Sequence, residues 1–175
     1  PNPFKLNIPS SGDFHKDKHV DLEFDFPLTK FDSTAISLTM TTEEITEPQQ
    51  VEFHFVQDTL NRRKYQLRAE WQPKAKYELV MPAGVFANVA QEQNDTIKCS
   101  YTGADPEKFA IVNVNVKSSR PDVRYILQLT NAQGKTQKEI RNATAGLYKL
   151  EFVSPGDVML RVVEDMNGNG KWDTG

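Results

Sequence analysis

The sequence predicts an all-β chain folded as two tandem antiparallel β-sandwiches, and three observations predict it. Apolar and polar residues alternate one by one through roughly ten short segments, the period-2 signature of half-buried strands. No long stretch carries apolar residues three and four apart, as a helix buried along one face requires. The alternation stops at Thr102-Gly103-Ala104-Asp105-Pro106-Glu107, a run of turn residues that divides the chain into domains 1–104 and 105–175.

In order, the first strand is Val20-Asp21-Leu22-Glu23-Phe24-Asp25-Phe26, with four apolar side chains directed one way and three carboxylates the other. The same reading applies to Ile36/Leu38/Met40, Val51/Phe53/Phe55, Tyr65/Leu67/Ala69/Trp71, Tyr77/Leu79/Met81 and Ile97/Cys99/Tyr101. Only Pro82 to Ala90, through Val85, Phe86 and Val89, has the spacing for a single helical turn. Beyond the break, alternation resumes at Val112/Val114/Val116, Val123/Tyr125/Leu127/Leu129, Leu150/Phe152 and Val158/Leu160/Val162, with turns at Asn131–Gly134 and Ser154–Asp157.

Composition narrows the function classes. Of the 175 residues 38% are hydrophobic, in short groups that suit folded cores and none long enough for a membrane-spanning helix. A net charge of −3, with both signs interspersed, lacks the basic stripe that binding a nucleic acid backbone needs. The lone cysteine, Cys99, excludes an internal disulfide framework and shares a strand face with Ile97 and Tyr101, the place of a small core residue. The chain opens at Pro1 without a signal segment, as a trimmed product does.

Two resemblances follow from particular residues. Leu22-Glu23-Phe24-Asp25-Phe26-Pro27-Leu28, then Tyr65 to Leu79 with its Pro73-x-x-x-Tyr77-x-Leu79 turn, then Ser100-Tyr101-Thr102-Gly103, resemble the bacterial S-layer-type Ig-like domain. Ala145-Gly146-Leu147-Tyr148-Lys149-Leu150-Glu151-Phe152, Pro155-Gly156 and the Asp/Asn/Gly-rich end resemble the carboxypeptidase-regulatory, prealbumin-like repeat, although Val158 stands where that repeat has Tyr. The pairing resembles Ig-like surface lipoproteins of the Bacteroidota type. It implies an Ig-like sandwich followed by a prealbumin-like one that runs on past Gly175, in a protein exported to the periplasm or the outer-membrane surface. It further implies a spacer or interaction module, with a protein or a surface glycan as partner.

Candidate chemistry is sparse. Asp165-Met166-Asn167-Gly168-Asn169-Gly170-Lys171-Trp172-Asp173 sets Asp165, Asn167, Asn169 and Asp173 at the side-chain ligand positions of an EF-hand-like loop, with Lys171 offering its backbone carbonyl. Two readings of it stand, a structural Ca²⁺ loop and a Gly/Asn-rich hairpin turn held by its own amides. No organic cofactor is expected. His15-x-x-x-His19 brings two imidazoles together only on a helix, and its polar surroundings read as loop. Glu43-Glu44 reads as a solvated loop pair, and His54 as a solvent-facing strand residue. Trp71, Tyr65, Tyr77 and Tyr101 read as core, with Trp172 covering an end of the second domain. Asp32-Ser33-Thr34, Asp58-Thr59-Leu60 and Asp95-Thr96-Ile97 resemble an Asp-Ser/Thr-apolar O-glycosylation signal, and Asn94-Asp95-Thr96 and Asn142-Ala143-Thr144 match an N-glycosylation sequon. No nucleophile elbow or phosphate loop is present, so the expectation is a non-catalytic module, with a glycan- or peptide-binding module and the accessory part of an enzyme as rivals.

Overall fold

The computed structural model describes residues 4–166, and the alternating segments become strands. Two compact units divide the chain, Pro1–Asp105 and Pro106–Gly175. In the first, β1 (Leu6–Asn7), β2 (Ser11–Phe14), β3 (Val20–Phe24), β4 (Leu28–Phe31), β5 (Ser37–Thr41) and β6 (Gln49–Gln50) are followed by β7 (Phe53–Gln57), β8 (Lys64–Ala69), β9 (Lys76–Met81), β10 (Phe86–Asn88) and β11 (Ile97–Gly103). They form a sheet ordered β1-β3-β8-β7, a sheet ordered β2-β11-β9-β5-β6, and a ribbon of β4 with β10.

The core lies between those sheets because the period-2 pattern leaves each strand one greasy face. Val20, Leu22 and Phe24 point inward from β3, Tyr77, Leu79 and Met81 from β9, and Cys99 and Tyr101 from β11. Fully burying a side chain of this kind contributes about 1.5–3 kcal/mol. Phe86 joins them, with its ring 5.0 Å from those of Phe24 and Phe31. Phe86 corrects the expected helical turn: it sits in β10, paired with Phe31, because its fully buried ring needs the extended backbone of that ribbon. The short helical turns fall at Ser33–Ala35 and Pro106–Lys108. Phe26 also departs from the pattern, since β3 ends at Phe24 ahead of Pro27 and leaves Phe26 exposed.

One pairing in this otherwise antiparallel unit is parallel: β2 lies against β11 with Ser11 opposite Ser100 and Phe14 opposite Gly103. The end of β11 is tightly seated. A Cβ on Gly103 would stand 1.7 Å from the Gln72 carbonyl oxygen, so only glycine fits where β11 crosses the corner leading into β9. Gly103 and Ala75 share the hydrogen bond Gly103 N–H to Ala75 O, 2.8 Å, and Lys74 N–H donates to Gly103 O, 2.9 Å. The Tyr101 hydroxyl donates to Pro9 O at 2.7 Å, fastening the approach to β2.

The second unit holds β12 (Ala110–Val116), β13 (Arg124–Asn131), β14 (Thr136–Ala143), β15 (Gly146–Val153) and β16 (Val158–Asp165). β12 pairs with β15, and the other sheet is ordered β14-β13-β16. Val114, Leu150 and Val153 from the first pack against Tyr125, Leu127, Leu129 and Ala143 from the second. The turn after β13 is held by the Asn131 side chain, which accepts from Gln133 N–H and Lys135 N–H, with Gly134 at φ 77°.

Two bulges alter the faces that alternation assigns here. Phe152 adopts φ 55°, and Ala110 and Val112 stand opposite Val153 and Leu150, so β15 carries an extra residue. Val153 therefore enters the core at 1% exposure while Phe152 is only half-buried. On β14, Asn142 at φ 56° does the same between Ile140 and Ala143.

Candidate functional site

The polar outer face of the sheet β1-β3-β8-β7 is where ionisable side chains converge. Alternation that buries Val20, Leu22 and Phe24 sends Asp21 and Glu23 outward, and on the neighbouring strand it sends Lys64, Gln66 and Arg68 outward beside them. These residues, with Val56, Gln57 and the Asp58–Thr59 turn, line an open groove of about 510 Å³. Inside it Glu23 is ion-paired and Arg68 is bonded to a neutral amide. Glu23 has Arg63 and Lys64 nitrogens at 3.9 Å, and the Arg68 Nη2 donates to Gln66 Oε1 at 2.9 Å. Gln57 Nε2 donates to the Tyr65 hydroxyl and to Arg62 O, both at 2.9 Å. Burial pushes the Tyr65 hydroxyl's pKa up.

At one end of this face lies His19. Partial burial and then the Arg68 charge hold its imidazole below the usual histidine pKa, against the opposing pull of Asp21 and Asp17. His54 is exposed on β7 opposite Arg68, as its alternation with Phe53 and Phe55 predicts. His15 is not brought to His19 as a ligand pair: its Nδ1 accepts from Asp17 N–H at 3.2 Å within a polar turn. Among the described residues no group of three His, Cys, Asp or Glu side chains is arranged to hold a metal. The groove can offer donors and acceptors to a polar ligand, with Glu23 facing ammonium and guanidinium groups and Asp58 facing backbone N–H groups.

Of the Ca²⁺-loop residues, the structure describes Asp165, whose side chain is buried at the end of β16 where the strand meets Arg124. Asn167, Asn169, Lys171, Asp173 and the neighbouring Trp172 lie outside the described residues. Glu43 and Glu44 are exposed in the loop after β5. Trp71, Tyr77 and Tyr101 are buried and Tyr65 is half-buried, so the aromatic set forms core. Cys99 is buried as well, and desolvation raises its thiol pKa, the reverse of what a reactive cysteine needs.

The Asp-Ser/Thr tripeptides have a local structural role that sequence reading missed. Asp32 Oδ1 accepts from Thr34 N–H and from the Thr34 hydroxyl, capping the turn Ser33–Ala35, and the hydroxyl bond is the main reason its carboxyl pKa is lowered. Asp58 Oδ1 accepts from Leu60 N–H and Asn61 N–H at 2.7 Å each, which lowers its pKa and holds the β7–β8 turn. Asn94, read as a sequon, is 3% exposed. Its Oδ1 accepts from the buried Phe86 N–H, and its Nδ2 donates to Pro82 O and Asp95 O. An amide so engaged is a structural pin. The signal available in the sequence was an Asn between turn and strand, which sequons share.

No family model matches the chain, and no curated protein matches it. Among solved structures it is similar to the N-terminal part of the bacterial S-layer protein SbsC, at 14% identity and a TM-score of 0.40, covering 84% of this chain and 44% of that one. The chain therefore spans less than half the length of that structure, and a superposition that loose leaves the fold to rest on the strand pairings above.

Proposed function

We propose that the chain is a non-catalytic structural module of an exported bacterial surface or periplasmic protein, in which sandwich units act as a spacer or as a scaffold for a protein partner. The observation that supports this reading is how the side chains are sorted. In the first unit the space between the sheets is filled by packed apolar groups, while the ionisable groups stand on an open outer face. Acid–base and nucleophilic chemistry need the opposite, a closed site that strips water from the reacting groups. The exported setting and the lipoprotein type rest on the sequence resemblance alone.

A second reading has one observation behind it. The groove over Asp21, Glu23, Gln66 and Arg68 is large enough for part of a glycan or peptide, and its mixed donors and acceptors suit polar ligands. Glycan and peptide arrays separate the two. A spacer gives no saturable signal in any chemical class. A saturable hit lost in Asp21→Ala and Arg68→Ala, both on the outer face, transfers the function to the groove.

The loop from Asp165 to Asp173 is proposed as a structural Ca²⁺ loop that stiffens the end of the second unit. Its oxygen-rich residues supply hard ligands at alternate positions, and the first of them, Asp165, is held in place by the end of β16. Thermal melts test it. Ca²⁺ raises the melting temperature of the intact protein, and Asp165→Ala removes the gain without removing cooperativity; superimposed curves in Ca²⁺ and in chelator reject the site.

A further inference from the structure

The strand β16 stands at an edge of its sheet with a row of apolar side chains exposed. It reads Val158-Met159-Leu160-Arg161-Val162-Val163-Glu164-Asp165, so Val158, Leu160 and Val162 share one face while Met159, Arg161, Val163 and Asp165 share the other. Among the described residues its one strand neighbour is β13, paired along the whole length from Val158 opposite Asn131 to Asp165 opposite Arg124. Leu160 and Val162 stand opposite Leu129 and Leu127, which are 1% exposed, so they face the core side of the sheet. Nevertheless Val158, Leu160 and Val162 are 39%, 41% and 51% exposed, and Met159 on the other face is 68% exposed.

The edge also lacks the usual protections. Exposed strands are normally kept short, bulged, broken by proline or studded with charge. In the first unit the four sheet-edge strands are all shorter than β16, with two residues in β1 and β6, four in β2 and five in β7. The opposite edge of the same sheet, β14, carries Lys138, Glu139 and Arg141 and a bulge. By contrast β16 has eight residues in unbroken register, with no proline and a single charge before Glu164.

We propose that β16 is a self-association edge, occupied by β16 of a second copy of this chain in antiparallel pairing about a two-fold axis at Leu160. The choice of occupant comes from symmetry. A two-fold axis perpendicular to a sheet keeps inner faces with inner faces and needs a pattern that reads the same from its centre outward. Val158, Leu160 and Val162 are such a pattern. Centred on Leu160, Val158 meets Val162 of the other copy, Leu160 meets Leu160, and Met159 lies beside the aliphatic stem of Arg161. Shifting the axis by one residue toward the C-terminus sets Arg161 against itself, and shifting it the other way loses the Leu160 self-contact and the Val158–Val162 contacts. The joined sheet has six strands, and each copy covers the open flank of the other's core.

Sedimentation across a concentration series, on this chain and on the full-length protein, reads the result. The expected outcome is a dimer that Leu160→Lys weakens by at least about tenfold in dissociation constant, with the β-sheet circular dichroism unchanged. Register is read separately with Leu160→Cys, which forms a disulfide-linked dimer under mild oxidation, while Leu147→Cys, 80% exposed on β15, does not; Cys99 is buried and does not compete. A monomer at about 100 μM overturns the proposal. So does a monomeric full-length protein whose β16 amides resist hydrogen exchange, because a strand of the same polypeptide then holds the edge. Equal cross-linking at 160 and 147, or open-ended aggregation in place of a dimer, overturns it as well.

Discussion

Asn94 tests how much of the first unit depends on one buried polar side chain. In Asn94→Ala, three hydrogen bonds disappear: from Phe86 N–H at 2.9 Å, to Pro82 O at 2.9 Å and to Asp95 O at 2.8 Å. Their cost differs with the burial of the group left behind. Phe86 is 0% exposed, so its N–H is stranded away from water, and an unsatisfied buried donor costs about 1–3 kcal/mol. The Pro82 carbonyl is half-buried and adds about 1 kcal/mol, whereas Asp95 is exposed and its carbonyl is rehydrated. The expected loss is about 2–4 kcal/mol, which at a urea slope of ~2 kcal/mol per molar moves the midpoint by roughly 1–2 M. Asn94→Asp discriminates further. Its carboxylate still accepts from Phe86 N–H but points its other oxygen at two carbonyls, so its penalty grows as pH rises and the acid ionises. Urea melts of both variants at acid and neutral pH give the answer. An Asn94→Ala change below about 0.5 kcal/mol would show that Phe86 finds another acceptor and would refute the reasoning.

Further expectations concern backbone clearance and protonation. Gly103→Ala places a methyl group 1.7 Å from the Gln72 oxygen, so the end of β11 must move; the expected loss is above ~2 kcal/mol, and a melting temperature equal to wild type shows that the corner yields freely. For His19, whose pKa is lowered in the folded chain, the unfolded state binds the proton more readily. Stability therefore declines as pH falls below the unfolded value near 6.5 and levels off below the folded pKa; His19→Gln flattens that segment of the profile, and an unchanged slope refutes the assignment. For Glu139, hydrogen bonds from Gln128 and Arg141 hold its carboxyl below the usual range. Its contribution is present above the unfolded pKa and is lost as pH falls through the folded one, so Gln128→Ala lessens the acid sensitivity of the second unit, measured by denaturation between pH 5 and pH 2, about the carboxylate range.

What could be read in advance, and what could not, follows from how each residue is held. Val20, Leu22 and Phe24 reveal β3 because burying one face of a pleated strand forces a period of two. Alternation fails where the backbone inserts a residue: nothing local distinguishes Phe152 from Val153, and a left-handed φ decides which enters the core. It also fails at β14, where Ile140 is the one large apolar residue in Thr136–Ala143 and pairing with β13 supplies the strand character. The outer-face groove was invisible because its residues come from strands joined only by long-range pairing, Asp21 beside Gln66 and Val56. Asp58 and Asn94 carried recognisable chemistry, but their short motifs are shared by turns and modification signals alike.

The parallel neighbours β2 and β11 have a consequence for tension. Force applied at Ser11 and at Gly103 draws β2 backward along its axis and β11 forward, so the strands slide past one another instead of peeling apart. Every bond between Ser11–Phe14 and Ser100–Gly103 is then loaded at once, where an antiparallel hairpin under the same pull would unzip one bond at a time. Pulled in that direction, the first unit gains rupture resistance from strand geometry, without adding a single cross-link.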